Sequence, residues 1–143
     1  DVDMATYRSE SDGVLTMHTG MQRGSDTPFR YWYLWPLTEI DANPGEKPQL
    51  SIYTREALGA GRFAMIGHFY RLPGDIPDAQ EIAQMESNDT LLEDYAICES
   101  VQRGLGSRGY GRGRFIVDRE RSHISEHSVH HFQLLVADAL DLR

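Results

Sequence analysis

The sequence predicts an α+β protein, an antiparallel sheet in the first half packed on long helices in the second. Three observations carry this. Aromatic and β-branched runs, separated by Gly, Pro, Asn and Asp clusters, fill the first half. Residues 79–105 contain no proline, and no glycine before Gly104. Helical apolar spacing then returns after residue 124.

The strands come in order: VLTMHTG at 14–20, RYWYLW at 30–35, QLSIYTREAL at 49–58 and RFAMIGHFYRL at 62–72. Separators such as DANPGEKP and LGAGR supply turn residues, so the expected topology is a meander. Beyond RLPGDIPD the pattern changes. A single helix is predicted over 79–105 with Asp78 as its N-cap. The stretch GLGSRGYGRGR breaks it, and a last helix over 124–140 is predicted from the helical spacing of Val129, Phe132, Leu135, Val136 and Leu140. Ser125 is the expected cap of that helix, with Glu126 in the first turn, where the helix dipole favours an acid.

A chain of 143 residues, 40% hydrophobic and 25% charged, is expected to form one domain with a real core. Its formal net charge of −8 repels nucleic acid and anionic lipid. No apolar run approaches the roughly 20 residues that cross a bilayer, and the first residues have no basic or apolar signal region. A cytoplasmic protein with no nucleic-acid or membrane partner is expected. A start at Asp1 is that of a processed, cloned or excerpted piece. With Cys98 as the single cysteine, an internal disulfide or a site needing several thiolates from this chain is excluded. Charge is uneven: eight acids and no Lys or Arg occupy 75–99, whereas six arginines face only Asp118 and Glu120 over 103–121.

One acid stands out. On a helix with Asp94 at zero, Leu91 falls at about 60°, Cys98 at about 40°, Val101 at about −20° and Leu105 at about 20°. Asp94 is therefore centred on an apolar stripe, while Asp89, Glu93 and Glu99 fall at about −140°, −100° and 140°, on the solvated side. A carboxylate on a buried stripe must meet a cation, a metal or hydrogen-bond donors. Geometry alone leaves both a metal role and the commoner structural role open.

Other constellations have bland explanations. His123, His127, His130 and His131 are spaced so that several imidazoles could share a helix face and bind zinc or nickel, but Phe132 among them points to packing. His68 lies in a strand and reads as a core or surface histidine. Trp35, Phe63, Met65, Phe69 and Tyr70 read individually as core residues. The glycine-rich stretch lacks the Lys-Ser/Thr ending of a phosphate loop and follows a helix, so it is expected to be a helix C-cap and turn, its arginines facing acids or a neighbouring subunit.

The helix EDYAICESVQRGLGSRGYGRGRF at 93–115, followed by SEHSVHHFQ at 125–133, resembles the α subunits of Rieske-type ring-hydroxylating non-haem iron oxygenases. The strand YWYLWP, the following NPG and LSI, are similar to the family's sheet, so the resemblance spans roughly residues 29–140. It includes relatives that oxidise quaternary amines such as choline, glycine betaine and carnitine.

The resemblance implies an incomplete helix-grip fold of the START/Bet v 1 type, with residues 1–143 forming the C-terminal part of the catalytic domain and no Rieske domain. It implies an oxidoreductase that uses dioxygen at a mononuclear Fe(II) to hydroxylate an aromatic ring or to demethylate a quaternary amine oxidatively. In the family two histidines and one aspartate hold that iron, and the aspartate maps to Asp94, with Glu93 and Asp89 as neighbouring alternatives. No other catalytic or cofactor-binding residue is assigned.

The departures are large. No histidine pair four or five apart precedes Tyr31, where only His18 stands, and the two cysteines of a 2Fe-2S Rieske cluster are missing, as is the family's acid between cluster and iron. The implied partners are a Rieske domain or Rieske-bearing chain, a reductase or ferredoxin, a small-molecule substrate and a homotrimeric assembly. Alone, the chain is expected to be inactive and to lack stoichiometric iron. Two other readings stand beside this one: a redox-inactive module binding a small hydrophobic ligand, and a fragment that functions only beside a separate Rieske-bearing chain.

Overall fold

The computed structural model describes residues 2–44, 48–86 and 89–143. Six strands, β1 (Arg8–Asp12), β2 (Leu15–Met21), β3 (Pro28–Leu34), β4 (Thr38–Asn43), β5 (Gln49–Gly59) and β6 (Arg62–Arg71), precede three helices, α1 (Ala79–Glu86), α2 (Asp89–Leu105) and α3 (His127–Ala139). The strands form one antiparallel sheet in the order β1-β2-β3-β4-β5-β6, which is the expected meander. Tight turns make this possible: Gly13 at φ 53° closes β1 on β2, and Gly59 and Gly61 at φ 140° and 72° flank the tip of the β5–β6 hairpin.

Two strands exceed expectation. β1 (RSESD) and β4 (TEIDAN) carry no aromatic residue and one large aliphatic between them, so neither has the composition of a strand. Both are recruited by pairing with a neighbour of strong β character. Residues 45–47 of the DANPGEKP separator lie outside the described residues.

The chain divides into two compact units, Asp1–Leu72 with Arg114–Arg143, and Pro73–Gly113. In the first, α3 packs on the sheet. Phe132 sets its ring edge-on to Tyr33 and Trp35 at centroid distances of 5.3 and 5.4 Å, pairs that contribute about 0.5–1.5 kcal/mol each beyond their buried area. The Trp35–Pro36 bond is cis. One turn earlier on the same side of α3, the Ser128 hydroxyl bonds to those of Ser9 and Ser11 on β1. His127 and His131, one turn apart, donate from Nε2 to the carbonyls of Ser9 and Gly13 at 2.7 and 2.9 Å.

α3 begins later than 124, and Ser125 is not its cap. Glu126 occupies the N-cap position without a side-chain cap bond, because its carboxylate accepts from the Ile116 N–H at 2.7 Å while its own N–H donates to the Ile116 carbonyl at 2.6 Å. The Ser125 hydroxyl is drawn away to the Asp118 N–H and the His127 ring.

In the second unit, Asp78 caps α1 as expected. Its Oδ1 accepts from the N–H groups of Gln80 and Glu81 at 2.9 and 2.8 Å, and Glu81 returns an acceptor to the Asp78 N–H, completing a capping box. The single helix expected over 79–105 is described as α1 and α2, with residues 87 and 88 outside the described residues. Beyond Leu105 the glycine-rich stretch turns, with Ser107 N–H bonding to Gly104 O and Tyr110 N–H to Ser107 O.

The expected apolar core is absent among the described residues. The buried side chains are those of Ser9, Thr16, Ser51 and Ser128, and no apolar side chain is buried. Within the first unit α3 is laid on part of one face of the sheet, and that unit alone supplies no second layer for the apolar rows. Leu15, Leu34 and Ile66, on the face away from α3, are 39%, 40% and 49% exposed.

Candidate functional site: the polar face of the sheet

Cross-strand partners in an antiparallel sheet point to the same side, so the register defines which residues share a face. One row crosses all six strands: Ser9, His18, Tyr31, Asp41, Ser51 and Phe69. The next row on that face is Ser11, Thr16, Tyr33, Glu39, Tyr53 and Gly67. This is the face that α3 covers at its β1–β3 end, and its middle is tyrosine and carboxylate.

Its polar groups are arranged in bonded sets. Glu39 pairs with Arg55 at 2.7 Å and also accepts from the Tyr31 hydroxyl. Burial, then the Glu39 charge and that hydrogen bond, pushes the Tyr31 phenol far above its ordinary range. Asn43 Nδ2 donates to Asp41 at 2.7 Å, and Asn43 Oδ1 accepts from Gln22 Nε2 at 2.9 Å. Burial raises the Asp41 pKa, opposed by the Asn43 bond and reinforced by Glu39. Tyr7 and His18 are bonded hydroxyl to Nδ1, with the His18 ring tilted against Tyr31 at 5.6 Å. Burial and the nearby His127 hold His18 below the usual histidine range.

Gly67 makes room on this face. A Cβ there would lie 3.2 Å from the Tyr53 ring and 3.3 Å from that of Phe69, which pack edge-on at 5.8 Å. Arg55 Nη1 is buried without a hydrogen-bond partner among the described residues.

The candidates singled out from the sequence fall differently. Asp94 is exposed on α2, and so are Cys98, Val101 and Leu105 of its stripe. Neither helix of that unit covers the stripe. A unit of two helices has too little apolar surface of its own to cover it. The side chains of Asp89 and Leu91 lie outside the described residues. Glu93 and Glu99 are exposed.

The C-terminal histidines do not converge. His127 and His131 are spent on backbone carbonyls, His130 meets Phe115, and His123 is exposed. His68 pairs with Ile52 on the opposite face from Tyr31 and is exposed. Phe63, Phe69 and Tyr70 are 53%, 43% and 52% exposed and form no core. Among the described residues no group of three His, Cys, Asp or Glu side chains could hold a metal ion. No helix of the described residues is long and apolar enough to cross a membrane.

Sequence reasoning missed the polar face. Its acids sit on β4, where Glu39, Asp41 and Asn43 alternate with Ile40 and Ala42. The period-2 spacing of those polar residues was the available signal.

A six-stranded antiparallel meander with a C-terminal helix packed on one face is a helix-grip arrangement. The chain belongs to the family of the ring hydroxylating alpha subunit (catalytic domain), whose model matches residues 3–142. It is 34% identical over 114 residues to the carnitine monooxygenase oxygenase subunit of Acinetobacter baumannii, covering 79% of this chain and 31% of that protein. The chain thus spans about a third of the length of the curated relatives it matches. Among solved structures it is similar to the quaternary ammonium Rieske monooxygenase CntA. The L-carnitine complex gives a TM-score of 0.76 at 29% identity, over 96% of this chain and 38% of that one. The γ-butyrobetaine complex gives 0.76 at 30% identity, over the same shares.

Proposed function

We propose that this chain is the C-terminal part of the catalytic domain of a Rieske non-haem iron oxygenase whose substrate is a quaternary amine. The observation that carries this is the likeness, over 96% of the chain, to a relative solved with L-carnitine as substrate. The face of the sheet supports it, because tyrosine rings and carboxylates are the groups that recognise an alkylammonium ion. Hydroxylation of an aromatic ring, the other chemistry of the resemblance, has less use for acids on that wall.

In this reading Asp94 is the carboxylate that the chain contributes to a mononuclear Fe(II). The described residues do not fit an iron site by themselves, since Asp94 stands without two further ligands. The remaining iron ligands and the 2Fe-2S cluster would come from outside this chain, with electrons from a reductase or ferredoxin, in a homotrimeric assembly. The chain's own part is to wall the substrate cavity and orient what enters it.

The test is substrate-dependent dioxygen uptake by the longer polypeptide carrying this segment, supplied with a reductase. Uptake with L-carnitine or γ-butyrobetaine supports the proposal. Uptake with an aromatic hydrocarbon alone would replace it by ring hydroxylation, and binding without turnover would favour a redox-inactive ligand-binding module.

A further inference from the structure

The acids of the gripped face are not equivalent. Glu39 already has a cation in Arg55 and a donor in Tyr31. Asp41 has a donor but no cation: among the described residues its one hydrogen bond comes from Asn43 Nδ2, and it enters no ion pair. Its carboxylate is half-buried and held from behind, because Gln22 orients the Asn43 amide so that the NH2 group faces Asp41. In register it lies between Tyr31 on β3 and Ser51 on β5.

A fixed, half-desolvated carboxylate without a counter-ion costs stability unless a cation completes it. Proteins keep such groups where a ligand supplies the missing charge. The neighbouring side chains narrow the kind of cation. Tyr31 presents a ring whose hydroxyl is tied to Glu39, so the ring rather than the phenol oxygen is available to a ligand at Asp41. Aromatic rings beside a carboxylate suit a diffuse alkylammonium charge, which cannot donate hydrogen bonds, better than a metal ion, which demands several oxygen ligands.

We infer that Asp41, in register beside Tyr31 on the gripped face, is the counter-charge that selects a ligand's alkylammonium head group. This rests on the quaternary-amine reading and adds to it the residue that discriminates charge from shape. The ion-paired Glu39 and Arg55 hold Tyr31 in place, and Asn43 holds Asp41.

The experiment compares two probes that differ only in charge at the head group. One is γ-butyrobetaine, and the other is its carba-isostere, in which a tert-butyl group replaces the trimethylammonium. Binding of each to the longer polypeptide is measured by calorimetry, for wild type and for Asp41→Asn. The Asn variant keeps the volume and can still accept from Asn43. Wild type is expected to prefer γ-butyrobetaine by about tenfold or more, the scale of one charge-assisted contact. Asp41→Asn should erase that preference while leaving the isostere within about twofold of its wild-type affinity. Equal wild-type affinity for both probes overturns the inference without any variant being needed. So does an Asn variant that discriminates as wild type does, and in either case the quaternary-amine reading survives if γ-butyrobetaine is still bound. If wild type binds neither probe, that reading falls and the role of Asp41 falls with it.

Discussion

Glu39 on β4 and Arg55 on β5 form an ion pair at 2.7 Å, and the same carboxylate accepts the Tyr31 hydroxyl from β3, so one acid ties three adjacent strands together. The two charged side chains are 16% and 25% exposed, which places the pair between a surface bridge and a buried one. Glu39→Gln should therefore destabilise the sheet by about 1–2 kcal/mol, short of the cost of breaking a fully buried pair. Chemical denaturation of the purified chain measures it, and an unchanged midpoint would mean that water replaces the pair at no cost.

Tyr31 predicts an alkaline limit. Its folded pKa is raised above the unfolded value of about 10, so the stability it confers is complete below that value and is lost as pH rises beyond it. Tyr31→Phe should flatten the loss of melting temperature on the alkaline side, measured against wild type from neutral pH upward. In Glu39→Gln the Tyr31 phenol should ionise at lower pH than in wild type, seen by phenolate absorbance, yet still above the ordinary range because burial is the larger cause.

Asp41 predicts a change of opposite sign. Burial raises its folded pKa, so its ionisation costs stability at neutral pH and costs nothing once acid has protonated it in both folded and unfolded states. Without ligand, Asp41→Asn should be more stable than wild type at neutral pH, by about 0.5–1 kcal/mol, the usual size of gain when a functional compromise is removed. The gain should fade as pH falls below about 4. Melting curves at neutral and acidic pH decide the matter.

Phe132 predicts how firmly α3 is held. Its ring is half-buried between Tyr33 and Trp35, so Phe132→Ala should cost about 2–3 kcal/mol, near the lower end for a truncated aromatic. Trp35 fluorescence should shift towards that of a solvated indole, and an unmoved spectrum would remove Phe132 from the contact.

For Asp94 the expected outcome belongs to the longer polypeptide. Asp94→Asn should lower its iron content and abolish substrate oxidation while leaving the visible absorption of a Rieske cluster intact, because the cluster has its own ligands. Glu93→Gln should change little. Iron lost in Glu93→Gln and kept in Asp94→Asn would mean that the ligand is one residue earlier.

The meander was readable from RYWYLW, QLSIYTREAL and RFAMIGHFYRL, whose aromatic and β-branched residues form strands almost wherever they sit. The two strands that were not readable are the ones bearing much of the polar network. β1 looks like a loop because Ser9 and Ser11 face the hydroxyl of Ser128, and β4 because Glu39, Asp41 and Asn43 face the tyrosines. Local pattern fails where side chains are chosen for a neighbour distant in sequence. Asp94 shows the reverse: its stripe was plain on a helical wheel, but a stripe says nothing of what covers it.

The hydroxyl contact between Ser9 and Ser128 joins residues 119 positions apart. Each hairpin of the meander closes over a few residues and can form as soon as its strands exist, whereas this contact must wait for nearly the whole intervening chain. During synthesis the hydroxyls of Ser9 and Ser11 therefore have no partner on α3 until residue 128 has been made.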